Sequence, residues 1–149
     1  APSQDFSFYE KFITNDNIKF ISNKTYSLLQ IATAALVTSG TATLETALLN
    51  VPEIVCYKGN AITLALAKRF VKIKFIALVN LIMDKEVVKE LIQEDLTTKQ
   101  LSIELKKLLE DPAKQAGIKA DYAALKQALT TGHKATEVAA GIIQETLNK

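Results

Sequence analysis

The stretch Val37-Thr38-Ser39-Gly40-Thr41-Ala42-Thr43-Leu44-Glu45 follows the apolar run Ala34-Ala35-Leu36 and leads into a helix-like segment that ends at Asn50. A second apolar run, Ile54-Val55-Cys56-Tyr57, comes after Val51-Pro52. This order predicts a strand, a polar turn, a helix and another strand. Open α/β sheets bind ligands beyond the carboxyl ends of their strands, so we expect a ligand, and a nucleotide first, at this turn.

The residue types in the turn suit close contact with a ligand. Gly40 allows a tight turn and close approach of the backbone, and Ser39 or Thr41 can cap the following helix with a hydroxyl. Thr41 and Glu45 are four residues apart and therefore share one face of that helix. Both side chains can point at one ligand.

Length and composition predict one globular domain. The chain has 149 residues, of which 48% are hydrophobic, enough for a real core. No apolar run approaches the roughly 20 residues that span a bilayer, and Ala1-Pro2-Ser3 does not begin a signal peptide, so we expect a cytoplasmic protein. The net charge of +2 is too small to indicate nucleic acid as a partner.

Two single residues exclude several classes of chemistry. The one cysteine, Cys56, lies in a predicted buried strand and is interpreted as a core residue of a protein in a reducing compartment. The one histidine, His133, lies in a Thr-Gly-His-Lys turn and indicates neither a metal cluster nor a catalytic triad. We therefore expect no metal and no cofactor.

Hydrophobic periodicity predicts an alternation of helix and strand up to residue 80, followed by a mainly helical part over residues 81–149. Such alternation is typical of an α/β fold with a Rossmann-like parallel sheet and helices on both faces. Helices are predicted over 4–12, 24–32, 41–50, 61–70, 85–93, 98–110, 112–130 and 135–148, and strands over 18–21, 34–37, 53–57 and 75–79.

The same periodicity predicts which helix faces are buried. Thr98 can cap one of the later helices, and Pro112 suits the first turn of the next. The expected inward residues are Tyr26, Leu29 and Ala32; Leu44, Ala47, Leu48 and Val51; Ile62, Ala65, Leu66 and Phe70; Leu101, Leu105, Leu108 and Leu109; and Ile118, Tyr122, Leu125 and Leu129.

Five blocks of this sequence resemble, in order and spacing, the C-terminal half of bacterial lipid-A-disaccharide synthase. The resemblance runs from about residue 17 to 110 and more loosely to the end. The blocks are Ser39-Gly40-Thr41-Ala42-Thr43-Leu44-Glu45, Pro52 with Val55-Cys56-Tyr57-Lys58, Ala67-Lys68-Arg69, Leu78-Val79-Asn80-Leu81, and Val88-Lys89-Glu90-Leu91-Ile92-Gln93.

The resemblance implies a fold and an activity. That family has the GT-B fold, in which two Rossmann-like domains face each other across a cleft. It joins UDP-2,3-diacylglucosamine to 2,3-diacylglucosamine 1-phosphate and releases UDP. Residues 1–149 would then be a partial C-terminal, UDP-sugar-binding domain, whose partners are the acylated donor, the acylated acceptor and an N-terminal domain.

The resemblance also implies site residues. Glu45 matches a carboxylate that accepts hydrogen bonds from the donor ribose, and Ser39, Gly40, Thr41 and Ala42 would meet the diphosphate. The same block residues can be an ordinary cap and turn with an exposed glutamate. The remaining expected site residues are Asn80, placed by us at the carboxyl end of a strand, and Glu90 and Gln93, which match a motif only.

The chain departs from the family in several places. A Leu-Pro-Gly-Ser-Arg turn, usual near the start of this domain, has no counterpart between Ala1 and Lys24, and the acidic catalytic group belongs to the N-terminal domain. Val79 stands where proline is frequent, and Lys58 where arginine is common. We therefore expect no catalytic residue in this chain and no transfer activity from the chain by itself.

Two further segments suggest contacts. Lys68, Arg69, Lys72 and Lys74 alternate with apolar residues, which indicates either a solvated surface or peripheral contact with the inner membrane. The last predicted helix, over 135–148, carries apolar residues that need a cover. It can pack on the other domain, fold back, or pair with a second copy in a homodimer.

Other interpretations stay open at this point. Another GT-B enzyme or a UDP-sugar epimerase would share the glycine turn and the carboxylate, and a comparison of donors would separate them. The chain can also be a non-catalytic α/β interaction module, which saturable UDP binding would argue against.

Overall fold

A computed structural model describes residues 5–38, 40–59, 74–130 and 135–147. The chain divides into two compact units, residues 1–32 and residues 33–149. The predicted helix over 61–70 and His133 lie outside the described residues.

The first unit contains two short helices, α1 (Phe6–Glu10) and α2 (Thr25–Ile31). Residues 18–21, which the sequence predicted as a strand, form no regular secondary structure. Instead, the Phe20 ring packs against the rings of Phe6 and Tyr9, with centroids 5.1 and 5.3 Å away. Aromatic contacts within this unit take the place of strand pairing.

The second unit is built on a three-stranded parallel sheet, so the fold is α/β. The strands are β1 (Ala35–Thr38), β2 (Glu53–Tyr57) and β3 (Lys89–Ile92), in that spatial order. The central strand β2 pairs on both sides, with Val55 opposite Val37 and opposite Glu90. Ile54 and Val55 point to opposite faces, yet both are buried, so this strand is covered on both faces.

Helices flank the sheet. Helix α3 (Thr41–Leu48) connects β1 to β2 and packs on both strands, and α4 (Leu78–Met83) precedes β3. A short 3-10 helix (Gln93–Asp95) follows β3. The C-terminal part consists of α5 (Thr98–Glu110), which packs on β2, α6 (Pro112–Leu129), which packs on α3, α4 and α5, and α7 (Ala135–Leu147).

Two helix caps show how local sequence sets these boundaries. Thr97, rather than the predicted Thr98, caps α5 by accepting a hydrogen bond from the Gln100 amide at 3.1 Å. Asp111 caps α6 by accepting from the amides of Ala113 and Lys114, and Pro112 occupies the first helical position as predicted.

The sequence placed the third strand of the sheet in the wrong segment. The predicted strand 75–79 runs into α4, and the predicted helix 85–93 contains β3. An apolar run such as Phe75-Ile76-Ala77-Leu78-Val79 suits a buried helix and a buried strand equally well. Pairing with β2 decides in favour of a strand at Lys89–Ile92, against its mixed local pattern.

Several predicted inward residues prove to be exposed. Leu29, Ala47, Val51, Leu108, Ile118, Tyr122 and Leu125 are buried as expected. Exposed, against expectation, are Tyr26, Leu48, Leu109 and Leu129. In α3 the core face is rotated toward Thr43 and Thr46, whose hydroxyls donate to the carbonyls of Gly40 and Ala42 at 2.8 and 2.7 Å. Because these bonds satisfy the hydroxyls, threonine can replace a larger apolar residue in the core.

The last helix remains uncovered on the side that its apolar residues occupy. Val138, Ile142, Ile143 and Leu147 are between 45% and 80% exposed. In the described ranges, no helix combines the length and apolar character needed to cross a bilayer.

The core contains one carboxyl group that the sequence did not single out. Glu53 on β2 is 1% exposed, and neither of its carboxyl oxygens has a hydrogen-bond partner among the described residues. Burial raises its pKa to about 9 from an ordinary value of 4.5. Burial, and then the neighbouring Glu53 charge, also raise the pKa of Tyr122 on α6. Glu53 is therefore protonated in the folded protein at neutral pH.

We predict that Glu53→Gln removes part of the pH dependence of stability. Between pH 4.5 and about 9 the folded protein keeps the Glu53 proton that the unfolded chain releases, so the free energy of unfolding falls as pH rises. The slope from this group is at most about 1.4 kcal/mol per pH unit. Urea unfolding of both proteins at several pH values in this window should show that the free energy of unfolding of the variant increases relative to that of the wild type as pH rises. Parallel profiles would contradict the assignment.

Candidate functional site

The carboxyl ends of the three parallel strands lie at one edge of the sheet. Thr38, Tyr57 and Ile92 are the last residues of β1, β2 and β3, and the register pairs Tyr57 with Ile92. Because the strands are parallel, the segments that follow them emerge at the same edge. These segments begin at the Gly40 turn, at Lys58 and at Gln93.

The turn after β1 has a backbone conformation that favours glycine. Gly40, the residue before α3, has φ 144° and ψ −165°. A side chain at this position would be strained, although the space around the Gly40 Cα is open. The expected capping hydroxyl of Thr41 is not used, since Thr41 is the first helical residue, and Ser39 lies outside the described residues. Thr41 and Ala42 are exposed, so the first turn of α3 faces solvent.

Glu45 is available to a ligand. It is half-buried on α3, and within the described ranges its carboxylate has neither a hydrogen bond nor an ion pair. Thr43, Thr46 and Ala47 occupy the core side of α3, so Glu45 shares the outer side with Thr41. Thr41 and Glu45 therefore share a face of α3, as predicted, and this face points away from the core.

Asn80 is buried inside the protein and engaged there. The sequence predicted Asn80 at the carboxyl end of a strand, but it lies in helix α4, so that prediction of its position was wrong. Its side-chain amide donates to the Val88 carbonyl at 2.9 Å and to the Glu90 carboxylate at 2.8 Å. Its side-chain oxygen accepts from the amides of Val87 and Val88 at 2.8 and 3.0 Å. Both donors and both acceptor positions of this side chain are used.

Glu90 completes the same network from β3. Its carboxylate accepts hydrogen bonds from the backbone amides of Ile76 and Ala77 at 3.0 Å and from the Asn80 side chain. Ala77 is the residue before α4, so the carboxylate lies at the N-terminus of that helix, where N–H groups without a partner inside the helix and the helix dipole favour an anion. Asn80 and Glu90 thus join α4 to the start of β3.

Gln93 makes a different connection. Its side-chain nitrogen donates to the Gly59 carbonyl and its side-chain oxygen accepts from the Gly59 amide, each at 3.0 Å. This pair of bonds ties the residue after β3 to the loop after β2. The sequence indicated Gln93 only through a motif match. Its contact with Gly59 could not be predicted, because the two residues are 34 positions apart in the chain.

One of the four cations proposed for membrane contact is described. Lys74 is exposed and its ammonium group lies 2.9 Å from the carboxylate of Asp84, the residue after α4. Such an exposed ion pair contributes little to stability. Lys68, Arg69 and Lys72 lie outside the described residues.

The predicted site residues therefore separate into two groups. Gly40, Thr41, Ala42 and Glu45 surround the turn after β1, and Gln93 lies at the same edge through its contact with the loop after β2. Asn80 and Glu90 form one network of their own, satisfied by internal hydrogen bonds. In open α/β sheets, ligands bind in the crevice outside the carboxyl ends of the strands, which is where the first of these groups lies.

Comparison with known proteins identifies the family. The family described as lipid-A-disaccharide synthetase matches residues 6–143. The chain is 36% identical over 107 residues to the lipid-A-disaccharide synthase of Geobacter sulfurreducens, covering 72% of this chain and 28% of that protein. It is 37% identical over 108 residues to that of Nitrobacter hamburgensis, covering 71% and 27%. The corresponding protein of Gluconobacter oxydans is 47% identical over 70 residues, which are 47% of this chain and 17% of that protein.

The chain belongs to the lipid-A-disaccharide synthase family. The resemblance inferred from the five sequence blocks is thereby confirmed. The matches span between 17% and 28% of the length of these three relatives.

We predict that Asn80→Ala destabilises the fold strongly. The substitution removes the Asn80 partner of the Val88 amide and of the Val88 carbonyl. The Val87 amide keeps only its hydrogen bond to the Lys85 carbonyl, at 3.0 Å. Each unsatisfied buried group costs about 1–3 kcal/mol, so the two groups of Val88 give an expected loss of roughly 2–6 kcal/mol. The measurement is urea unfolding, with the exposed Asn17→Ala as control. A loss no larger than that of the control would show that the network contributes little.

Proposed function

We propose that this chain supplies the UDP-binding part of a glycosyltransferase of lipid A biosynthesis. The reaction would join UDP-2,3-diacylglucosamine to 2,3-diacylglucosamine 1-phosphate and give lipid A disaccharide 1-phosphate and UDP. Family membership supports the class of enzyme. The observation that supports the location is the exposed Gly40 turn at the carboxyl edge, followed on the next helix by Glu45, whose carboxylate has no partner among the described residues.

Glu45 suits the ribose of the donor. Two neighbouring hydroxyls can donate to the two oxygens of one carboxylate, and such charge-assisted hydrogen bonds are stronger than neutral ones. Within the described ranges, the Glu45 carboxylate has no internal hydrogen bond to give up when the ribose binds. The partial burial of Glu45 also lowers the number of conformations that binding has to restrict.

The turn itself suits the diphosphate. The first amides of a helix have no partner within the helix, and they favour an anion together with the helix dipole. We assign Gly40, Thr41 and Ala42 to this role, together with Ser39 from the sequence. The conformation of Gly40 leaves the space next to its Cα open, so a phosphate group can come close to the backbone.

Asn80 and Glu90 would contribute indirectly. Their side chains are engaged with backbone groups at 76–77 and 87–88, so we assign them to holding α4 and β3 rather than to touching the nucleotide.

The remaining partners come from outside this sequence. We assign the catalytic acidic group to an N-terminal domain facing this one across a cleft, as in GT-B enzymes, and expect no turnover by the 149-residue chain alone. Two further contacts stay predictions. One is peripheral contact of residues 68–74 with the inner membrane on its cytoplasmic side, and the other is a homodimer formed through α7.

The proposal predicts that Glu45→Ala weakens UDP binding by about 1.5–3 kcal/mol, the range for hydrogen bonds to a charged group. Calorimetric titration of the two proteins with UDP measures this difference. Glu110→Ala, at the exposed end of α5, removes a carboxylate elsewhere and should leave the affinity unchanged. Equal affinity of the wild type and Glu45→Ala would return Glu45 to an ordinary surface role, and a wild type that does not bind UDP would contradict the proposed function.

A further inference from the structure

The contact between Gln93 and Gly59 is the most specific connection at the carboxyl edge. Both ends of the Gln93 amide are used, one on the Gly59 N–H and the other on the Gly59 carbonyl, each at 3.0 Å. Gln93 is 8% exposed, so these bonds satisfy an amide that is largely removed from water.

The backbone of Gln93 is unusual as well. Its φ of 54° lies in the left-handed region, which is uncommon for residues other than glycine, asparagine and aspartate. Such conformations persist only where the surroundings hold them, and they are concentrated at functional sites. Here the conformation directs the side chain of the residue after β3 toward the loop after β2.

The tie fixes the end of the central strand. Gly59 also lies against the Tyr57 side chain, since a Cβ at this glycine would be 2.7 Å from the Tyr57 hydroxyl oxygen. The loop is therefore held on one side by Gln93 and limited on another by Tyr57. These contacts restrict the backbone at Gly59, two residues after the end of β2.

Lys58 lies between Tyr57 and Gly59, in this restricted part of the loop. Lys58 is exposed, and it has no ion pair with any described residue. It follows the middle strand of the three, between the segments that begin at Gly40 and Gln93. Among the described residues of this edge, Lys58 is thus a central cation without an ion pair.

We infer that Lys58 contacts the diphosphate of the nucleotide and that Gln93 is a positioning residue, which acts through Gly59 by holding Lys58 in place. The inference rests on the proposed function and adds two roles to it. The ammonium group of Lys58 complements the negative charge of the diphosphate. The side-chain oxygen and nitrogen of Gln93 already bond to Gly59, so we assign Gln93 to positioning rather than to contact with the nucleotide.

The test uses four variants of the chain and two nucleotides. Lys58→Gln removes the charge, and Gln93→Met removes both hydrogen bonds at nearly constant length. The double variant combines them. Gln115→Met is the matched control, because Gln115 likewise donates from its side chain to backbone carbonyls, those of Leu108 and Leu109, but on α6. UDP and UMP affinities are measured by calorimetry at one low salt concentration, since charge contacts are screened by salt.

We expect Lys58→Gln to weaken UDP binding about tenfold and UMP binding less. Gln93→Met should weaken UDP binding about three- to tenfold and lower the preference for UDP over UMP in the same way. If Gln93 acts through Lys58, the double variant binds UDP about as weakly as Lys58→Gln alone, because the two losses are not independent. The control should bind like the wild type.

The outcomes separate the inference from the proposed function. Wild-type affinity in folded Gln93→Met, or losses that multiply in the double variant, overturns the positioning role. Unchanged UDP affinity in Lys58→Gln overturns the diphosphate contact. A wild type that binds no UDP overturns the proposed function, and this inference with it.

A second variant covers the case in which Gln93→Met does not fold. Gly59→Ala crowds the loop against Tyr57, because the new Cβ meets the Tyr57 ring and hydroxyl, so either the loop or the ring must shift. It should weaken UDP binding and lower the UDP preference as Gln93→Met would. Full UDP affinity in folded Gly59→Ala would overturn the role of the loop.

Discussion

Parallel pairing of β2 on both of its sides is the constraint on which the rest of the second unit depends. A strand with two parallel neighbours needs connections that return to the opposite end of the sheet, and such connections are usually helices. Helix α3 is one of them, and it packs on the strands that it connects. Because all strands run in one direction, the segments after β1, β2 and β3 gather at one edge, and the ligand site is expected there.

The strands have only four or five residues and therefore few ladder hydrogen bonds. In this protein, buried side chains form additional hydrogen bonds to the backbone next to the strands. Asn80 and Glu90 satisfy five backbone groups between them, at residues 76–77 and 87–88, and Gln93 satisfies both backbone groups of Gly59. Buried polar groups of this kind are stable only when their partners are complete. Glu53 is the contrast, since its carboxyl group is buried without a hydrogen-bond partner among the described residues, and burial keeps it neutral.

The sequence predicted the local units well and the nonlocal ones less well. The strand, glycine turn and helix at residues 35–48 follow from hydrophobic pattern and turn chemistry over a short stretch. The third strand was missed because Lys89-Glu90-Leu91-Ile92 is a strand only through its pairing with β2. The same limit applies to the site. The shared helix face of Thr41 and Glu45 followed from their spacing, but the partners of Asn80, Glu90 and Gln93 depend on a sheet order that the sequence does not reveal.

The central claim, that the carboxyl edge of the sheet binds a uridine nucleotide, can be tested directly by NMR on the glycine amides. Gly40 and Gly59 lie at this edge, whereas Gly117 is on α6 and Gly141 on α7. Titration with UDP should shift the Gly40 and Gly59 resonances with one common saturation curve and leave those of Gly117 and Gly141 in place. Saturable shifts at Gly117 or Gly141 with none at Gly40 and Gly59, or no shift at any of them, would contradict the account.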